Sequence, residues 1–173
     1  TRGAAEGAAT ISFINSGGVR SGFSTQPDGS VTYGQIFTLQ PFGNTLEVLE
    51  LTGAQLKATL EQQFTDDSSG KPKPSVLIPS QGFAYAFDRT APVGQRVVAM
   101  TLGGQPIDPA KSYRVTVNNF LANGGDGFSN LARAKFVADG GGDLDALEAF
   151  IAQSVEVSPT ARVIDRNSLQ PSD

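Results

Sequence analysis

Cysteine and histidine are both absent from the 173 residues. Without cysteine there are neither disulfides nor thiolate nucleophiles, a condition that fits the cytosol and equally fits bacterial secreted proteins that fold without bridges. Without histidine as well, an all-protein zinc site is nearly excluded, and so is any catalytic scheme resting on an imidazole base. Whatever chemistry the chain joins, it is expected to lack the catalytic centre. Basic charge is also scarce: 13 Lys and Arg against 17 Asp and Glu leave a formal charge of -4. The basic residues are scattered, which argues against a nucleic-acid polymer as partner, because such proteins recruit phosphates with a surplus of cations. No apolar run approaches the roughly 20 residues needed to span a bilayer. The opening "TRGAAEGAAT" has neither the basic nor the apolar region of a secretion signal.

What is present is a hydrophobic fraction of 39% with 20 glycines and 10 prolines. That composition and length describe one loop-rich domain with a single core. "ISFINSGG" (11–18) alternates apolar and polar residues before a glycine pair, as a half-buried strand entering a loop does. "NTLEVLELTG" (44–53) repeats the alternation, with Leu46, Val48 and Leu51 expected inward. "TGAQLKATLEQQF" (52–64) shifts to helical period, with Leu56, Leu60 and Phe64 four apart and Thr52 as N-cap. "TDDSSGKPKPS" (65–75) reads as a proline-broken surface loop, and its "SGK" lacks the flanking residues of a phosphate loop.

Three further β-patterned stretches follow at 82–88, 95–107 and 112–120, with turns at Pro92-Val93-Gly94 and Gly103-Gly104. "GDLDALEAFIAQS" (142–154) reads as an amphipathic helix with Leu144, Leu147, Phe150 and Ile151 on one stripe and Asp143 near the positive end of its dipole. The fold class expected is α+β: a single domain with a mixed or antiparallel sheet and flanking helices.

Three segments carry more polar content than a fold requires. In "NSGGVRS" (15–21), Asn15 and Arg20 can converge on one ligand while Gly17 and Gly18 admit it closely. The plain alternative is a strand-end turn with a solvated arginine. In "LQPFGNTL" (39–46), Phe42 sits on a loop stiffened by proline, and its plain alternative is an aromatic that plugs the core. In "NNFLANGGDGF" (118–128), Gly124 and Gly125 beside Asp126 permit positive φ and close backbone approach. A carboxylate so placed accepts a pair of hydroxyl hydrogen bonds. Calcium is a poor fit to this stretch and to "ADGGGDLD" (138–145), since neither has the ligand spacing of an EF-hand or a β-roll. Asp139, Asp143 and Asp145 read instead as a turn and a helix start.

"INSGGVRS", "YGQIFTLQPFGNTL" and "VNNFLANGGDGF", in that order, closely resemble the C-terminal domain of the 5′-nucleotidase family, which includes UDP-sugar hydrolases and 2′,3′-cyclic-nucleotide phosphodiesterases. The resemblance runs from about Ile11 to Ile164. It implies a lead-in at 1–10 in which the family's first helix is cut short, a substrate-binding domain at 11–166 and a tail at 167–173. In the family, an N-terminal metallophosphoesterase domain holds two divalent metal ions and the catalytic residues, and the C-terminal domain holds the nucleoside. The resemblance thus implies no cofactor on this chain, and as partners a nucleoside or nucleotide and the catalytic domain of the same parent chain.

Matched position by position, Phe42 and Phe120 are the rings that sandwich the base and Asp126 is the carboxylate that holds the ribose hydroxyls. Asn15 and Arg20 contact base and sugar, with Gly17, Gly18, Gly124 and Gly125 as close-approach glycines. Ser16 stands where the family's first glycine usually is, which narrows the approach. Phe128 is assigned to the core. The resemblance further implies a periplasmic, cell-surface or secreted location. The competing reading is a non-enzymatic module that binds a nucleoside or a glycan; a purely structural domain would instead bury Phe42 and Phe120.

Overall fold

The computed structural model describes residues 9–22, 24–65, 75–153 and 162–169. In chain order these form β1 (Ile11–Asn15), α1 (Tyr33–Leu39), β2 (Thr45–Thr52), α2 (Gly53–Glu61), β3 (Leu77–Pro79), β4 (Phe83–Phe87), β5 (Val97–Leu102), β6 (Gln105–Pro106), β7 (Ser112–Asn118), α3 (Asn119–Ala122), β8 (Lys135–Gly142), α4 (Asp143–Ile151) and β9 (Val163–Asp165). The strands divide between a five-stranded sheet, order β3-β1-β7-β2-β8, and a four-stranded sheet, order β6-β5-β4-β9. Both are mixed: β1 runs parallel to β7, and β9 parallel to β4, while the other neighbours are antiparallel. The α+β class with mixed sheets and flanking helices is therefore the observed one.

Alternation explains most of the core. In β1, residues 11, 13 and 15 are buried, and in β4 so are 83, 85 and 87. The two sheets meet where Phe13 packs edge-on against Phe83, with ring centroids 5.4 Å apart. Helix α2 inserts Leu56 and Leu60, both 0% exposed, into the same cluster. Its start is fixed by a capping box: Thr52 Oγ1 accepts from Gln55 N while Gln55 Oε1 accepts from Thr52 N, satisfying two otherwise orphaned donors. Buried Tyr85 directs its hydroxyl at two acceptors, the Leu77 carbonyl at 2.9 Å and Gln63 Oε1 at 3.1 Å. Burial pushes its phenol up to about 12.

Several expectations need correction. In β2, the buried residues are Val48, Leu49 and Leu51. Period 2 places Leu49 and Leu51 on the face of the main core, with Leu46 and Val48 opposite. Grouping Leu51 with Leu46 and Val48 ignored that parity. The stretch 112–120 is not strand throughout: β7 stops at Asn118 and a helical turn follows.

Two elements were not foreseen. "YGQIFTL" forms α1 because Thr32 and Gln35 build a second capping box. "KFVADGGG" forms β8 despite its three glycines, because β2 supplies a complete partner whose register shifts twice to accommodate it. Asp139 lies within β8, where its Oδ1 accepts from Gly141 N at 2.8 Å. Most of the expected loop at 65–75 lies outside the described residues.

Candidate functional site

Strand direction gathers the polar-rich segments at one end of the five-stranded sheet. Because β1 and β7 are parallel, Asn15 at the end of β1 lies at the same end of the sheet as Asn118 at the end of β7. Because β2 and β7 are antiparallel and Leu46 pairs with Asn118, the loop that carries Phe42 enters β2 at that end as well. Helix α1 is tied in by a hydrogen bond of 2.9 Å from Arg20 N to the Leu39 carbonyl. The start of α4 joins from the far side, with Thr45 paired to Gly142 and Asp143 N donating to the Asn44 carbonyl.

The "NNFLANGGDGF" segment is built from its cap outward. Asn118 Oδ1 accepts from Leu121 N at 2.9 Å and starts α3. That single turn buries Leu121 and Ala122 and leaves Phe120 45% exposed. The chain then reverses through Gly124, Asp126 and Gly127, all at positive φ, and Phe128 is anchored in the core at 1% exposure. Gly125 has a steric reason: a Cβ there would lie 2.5 Å from the Phe120 ring, so the ring rests directly on the loop backbone. Asp126, at φ 54, is the only non-glycine with positive φ among the described residues, and a non-glycine there is strained by about 1–2 kcal/mol.

What holds Asp126 is a chain of amides. Asn15 Nδ2 donates to Asp126 Oδ2 at 2.8 Å, and Asn118 Nδ2 donates to Asn15 Oδ1 at 3.3 Å. Both asparagines are buried, at 5% and 7% exposure, whereas Asp126 is half-buried. Gly18 lets the chain turn over Asn15, since a Cβ at that position would lie 2.9 Å from Asn15 Oδ1; Gly17 is more open. Ser16 Oγ accepts from Val76 N at 3.2 Å, in the segment leading into β3.

Arg20 and Phe42 form the second grouping. The guanidinium carbon stands 5.6 Å from the Phe42 ring centroid, within cation–π range. Phe42 is 50% exposed, on the loop stiffened by Pro41. Phe120 is exposed to a similar degree, so neither ring is a core plug. Nearby, a cleft of about 190 Å3 opens between Gln40, Leu46, Asn118, Asp143 and Leu147. Burial raises the Asp143 carboxyl above the usual range, and its Oδ1 is buried without a hydrogen-bond partner.

The structure thus joins Asn15 to Asp126, Arg20 to Phe42, and Phe120 to Gly125, with both rings half exposed at one sheet end. Asn118, which links the first pair to α3, was missed in the sequence; an asparagine directly before a helical turn is an N-cap signal that could have found it. Among the described residues, no group of three or more His, Cys, Asp or Glu could hold a metal ion.

Comparison with known proteins follows the same residues. A family model described as 5′-nucleotidase, C-terminal domain, matches residues 4–133. The trifunctional nucleotide phosphoesterase protein YfkN of Bacillus subtilis is 35% identical over 137 residues, covering 76% of this chain and 9% of its own length. The cell wall protein Lmo0130 of Listeria monocytogenes is 32% identical over 133 residues, covering 73% of this chain and 16% of its own. Among solved structures, a 5′-nucleotidase precursor from Thermus thermophilus superimposes with a TM-score of 0.76 at 33% identity, over 94% of this chain and 32% of that one. The chain spans a third or less of each of these relatives. With the three motifs at one sheet end and this match across most of its length, the chain belongs to the 5′-nucleotidase C-terminal domain family.

Proposed function

We propose that this domain recognises the nucleoside part of a nucleotide and positions it for phosphate-ester hydrolysis by a partner metallophosphoesterase domain of the same parent chain. The observation that carries this reading is the hydrogen-bonded Asn15–Asp126 pair beside two aromatic rings that remain half exposed. Phe42 and Phe120 offer faces to a base, where stacking contributes about 1–3 kcal/mol per base whichever base it is. Asp126, with one oxygen oriented by Asn15, accepts from the vicinal hydroxyls of ribose. Arg20 contacts base and sugar, while Asn15, buried and bonded to Asp126, acts by orienting that carboxylate and not by touching the ligand as the resemblance implied. The exposed Gly17 leaves room for the ligand at the first loop, whereas Gly18 and Gly125 admit Asn15 and the Phe120 ring, and Gly124 turns the second loop at positive φ.

Holding both ends of the nucleoside fixes where the 5′-phosphate projects, so this chain contributes orientation rather than bond breaking. Two divalent ions of the catalytic domain would supply the activated water and the charge stabilisation that phosphoryl transfer needs. We place the protein outside the cytoplasm: periplasmic, at the cell surface or secreted.

The test is calorimetric titration of adenosine, uridine and glucose into the chain and into Phe42→Ala and Phe120→Ala, with a melting curve for each. Saturable binding of both nucleosides, absent for glucose and lost in the folded variants, is expected. A folded chain that binds glucose, or binds no nucleoside, overturns the reading.

A further inference from the structure

Helix α2 contributes to the same loop from outside the motifs. Gln62, at its C-cap, donates from Nε2 to Ser129 Oγ at 2.8 Å and accepts from Asn130 N at its Oε1 at 3.1 Å. One side-chain amide therefore closes two hydrogen bonds on consecutive residues 67 and 68 positions away. Ser129 is one of two residues beside the Gly124 turn: a Cβ on Gly124 would lie 3.5 Å from Ala132 Cβ and 3.6 Å from Ser129 Cα, both ordinary packing distances. Phe128 N in turn donates to the Gly125 carbonyl at 3.1 Å. The turn bearing Asp126 is thus held at its start by the Asn118–Asn15 amides and at its exit by Gln62.

We propose that Gln62 is a positioning residue for Asp126: its amide fixes the exit of the 124–127 turn, and so the direction in which the Asp126 carboxylate faces the ligand. This rests on the nucleoside-binding reading above. Three observations favour it over a merely structural role. Gln62 is half-buried, outside the main core cluster, so it adds little to apolar packing. Its two bonds are directional and bidentate, which fixes geometry rather than area. The turn they close holds Asp126 in the left-handed region, a conformation that persists only where the surroundings over-determine it.

The variants separate geometry from bulk. Gln62→Leu fills similar space and makes neither bond. Gln62→Glu retains both, since a carboxylate accepts from Asn130 N and from the Ser129 hydroxyl. Two readouts are taken on the chain: amide hydrogen exchange across 124–130, and affinity for adenosine beside 2′,3′-dideoxyadenosine, which lacks the hydroxyls Asp126 would hold. Gln62→Leu is expected to speed exchange at 124–127 and to weaken adenosine about fivefold, the loss of one net hydrogen bond. The dideoxy analogue should be unaffected, and Gln62→Glu should restore both readouts.

Unchanged exchange in Gln62→Leu, or equal weakening of both ligands, overturns the proposal. If the unmodified chain binds neither ligand, the nucleoside reading fails while the exchange comparison still decides whether Gln62 orders the turn.

Discussion

At the loop end of the five-stranded sheet the polar side chains are inside and the rings outside; in the four-stranded sheet the order is reversed. Asn15 and Asn118 are 5% and 7% exposed while Phe42 and Phe120 stand at 50% and 45%. In β4, by contrast, Phe83, Tyr85 and Phe87 are all buried. The nearby ion pair of Arg89 with Asp165 lies at the surface. Burying an aromatic side chain stabilises a fold by roughly 1.5–3 kcal/mol. The site end forgoes that for two rings and instead buries amides, which is tolerable only because each is hydrogen-bonded. One sheet is arranged for stability, and the end of the other keeps apolar surface in contact with water.

Substitutions at matched positions test that contrast. Phe83→Ala should lose about 3–5 kcal/mol in urea denaturation. Phe42→Ala and Phe120→Ala should each change stability by no more than about 0.5 kcal/mol and lose nucleoside affinity instead. A Phe42→Ala chain as unstable as Phe83→Ala would break the comparison.

Alkaline stability gives the next effect. Tyr85 has its folded pKa raised to about 12 from 10, chiefly by burial. Between those values the unfolded chain has released a proton that the folded one retains, so stability is full below pH 10 and falls as pH rises toward 12. The expected loss is about 2–3 kcal/mol. Chemical denaturation at pH 9 and pH 12 should reveal it, and Tyr85→Phe should remove this component of the slope.

Asn15→Leu sharpens the polar half of the contrast. It strands Asn118 Nδ2 and deprives Asp126 of its 2.8 Å donor, a cost of about 1–3 kcal/mol. A leucine tolerated there without loss of stability would mean that the amide chain is held by other contacts. Least affected should be Lys135→Ala, which removes a 3.0 Å ion pair with Glu50 whose lysine side chain is 73% exposed. The change should stay below about 1 kcal/mol and shrink further in high salt.

Legibility in the sequence followed the locality of each signal. Strands β1 and β4 and helices α2 and α4 were readable because their periodicity, and in α2 the cap, lie within the element itself. Strand β8 was not, because its glycines argue locally against a strand and only β2, some ninety positions earlier, supplies the pairing that overrides them. Helix α1 escaped notice for a smaller reason: Thr32 and Gln35 form a cap whose sequence signature is short and the helix behind it has only 7 residues.

At the site, the three motifs were visible as excess polar content. The amide chain joining two of them was not, since Asn15 and Asp126 lie 111 positions apart. That Phe128 belongs to the core was legible, because a ring directly after a glycine turn has the following segment to anchor.

That separation also governs when the site can exist. Strands β1 and β7 are neighbours in space and parallel, so they need a long connection, and contacts across such distances are the slow ones to form. Binding competence is therefore expected to arrive late on the folding pathway, after local helices and hairpins have already closed. Stopped-flow refolding should show far-UV ellipticity leading the signal of a fluorescent nucleoside. A chain interrupted anywhere between its first and third motifs would carry recognisable pieces of the site and no site at all.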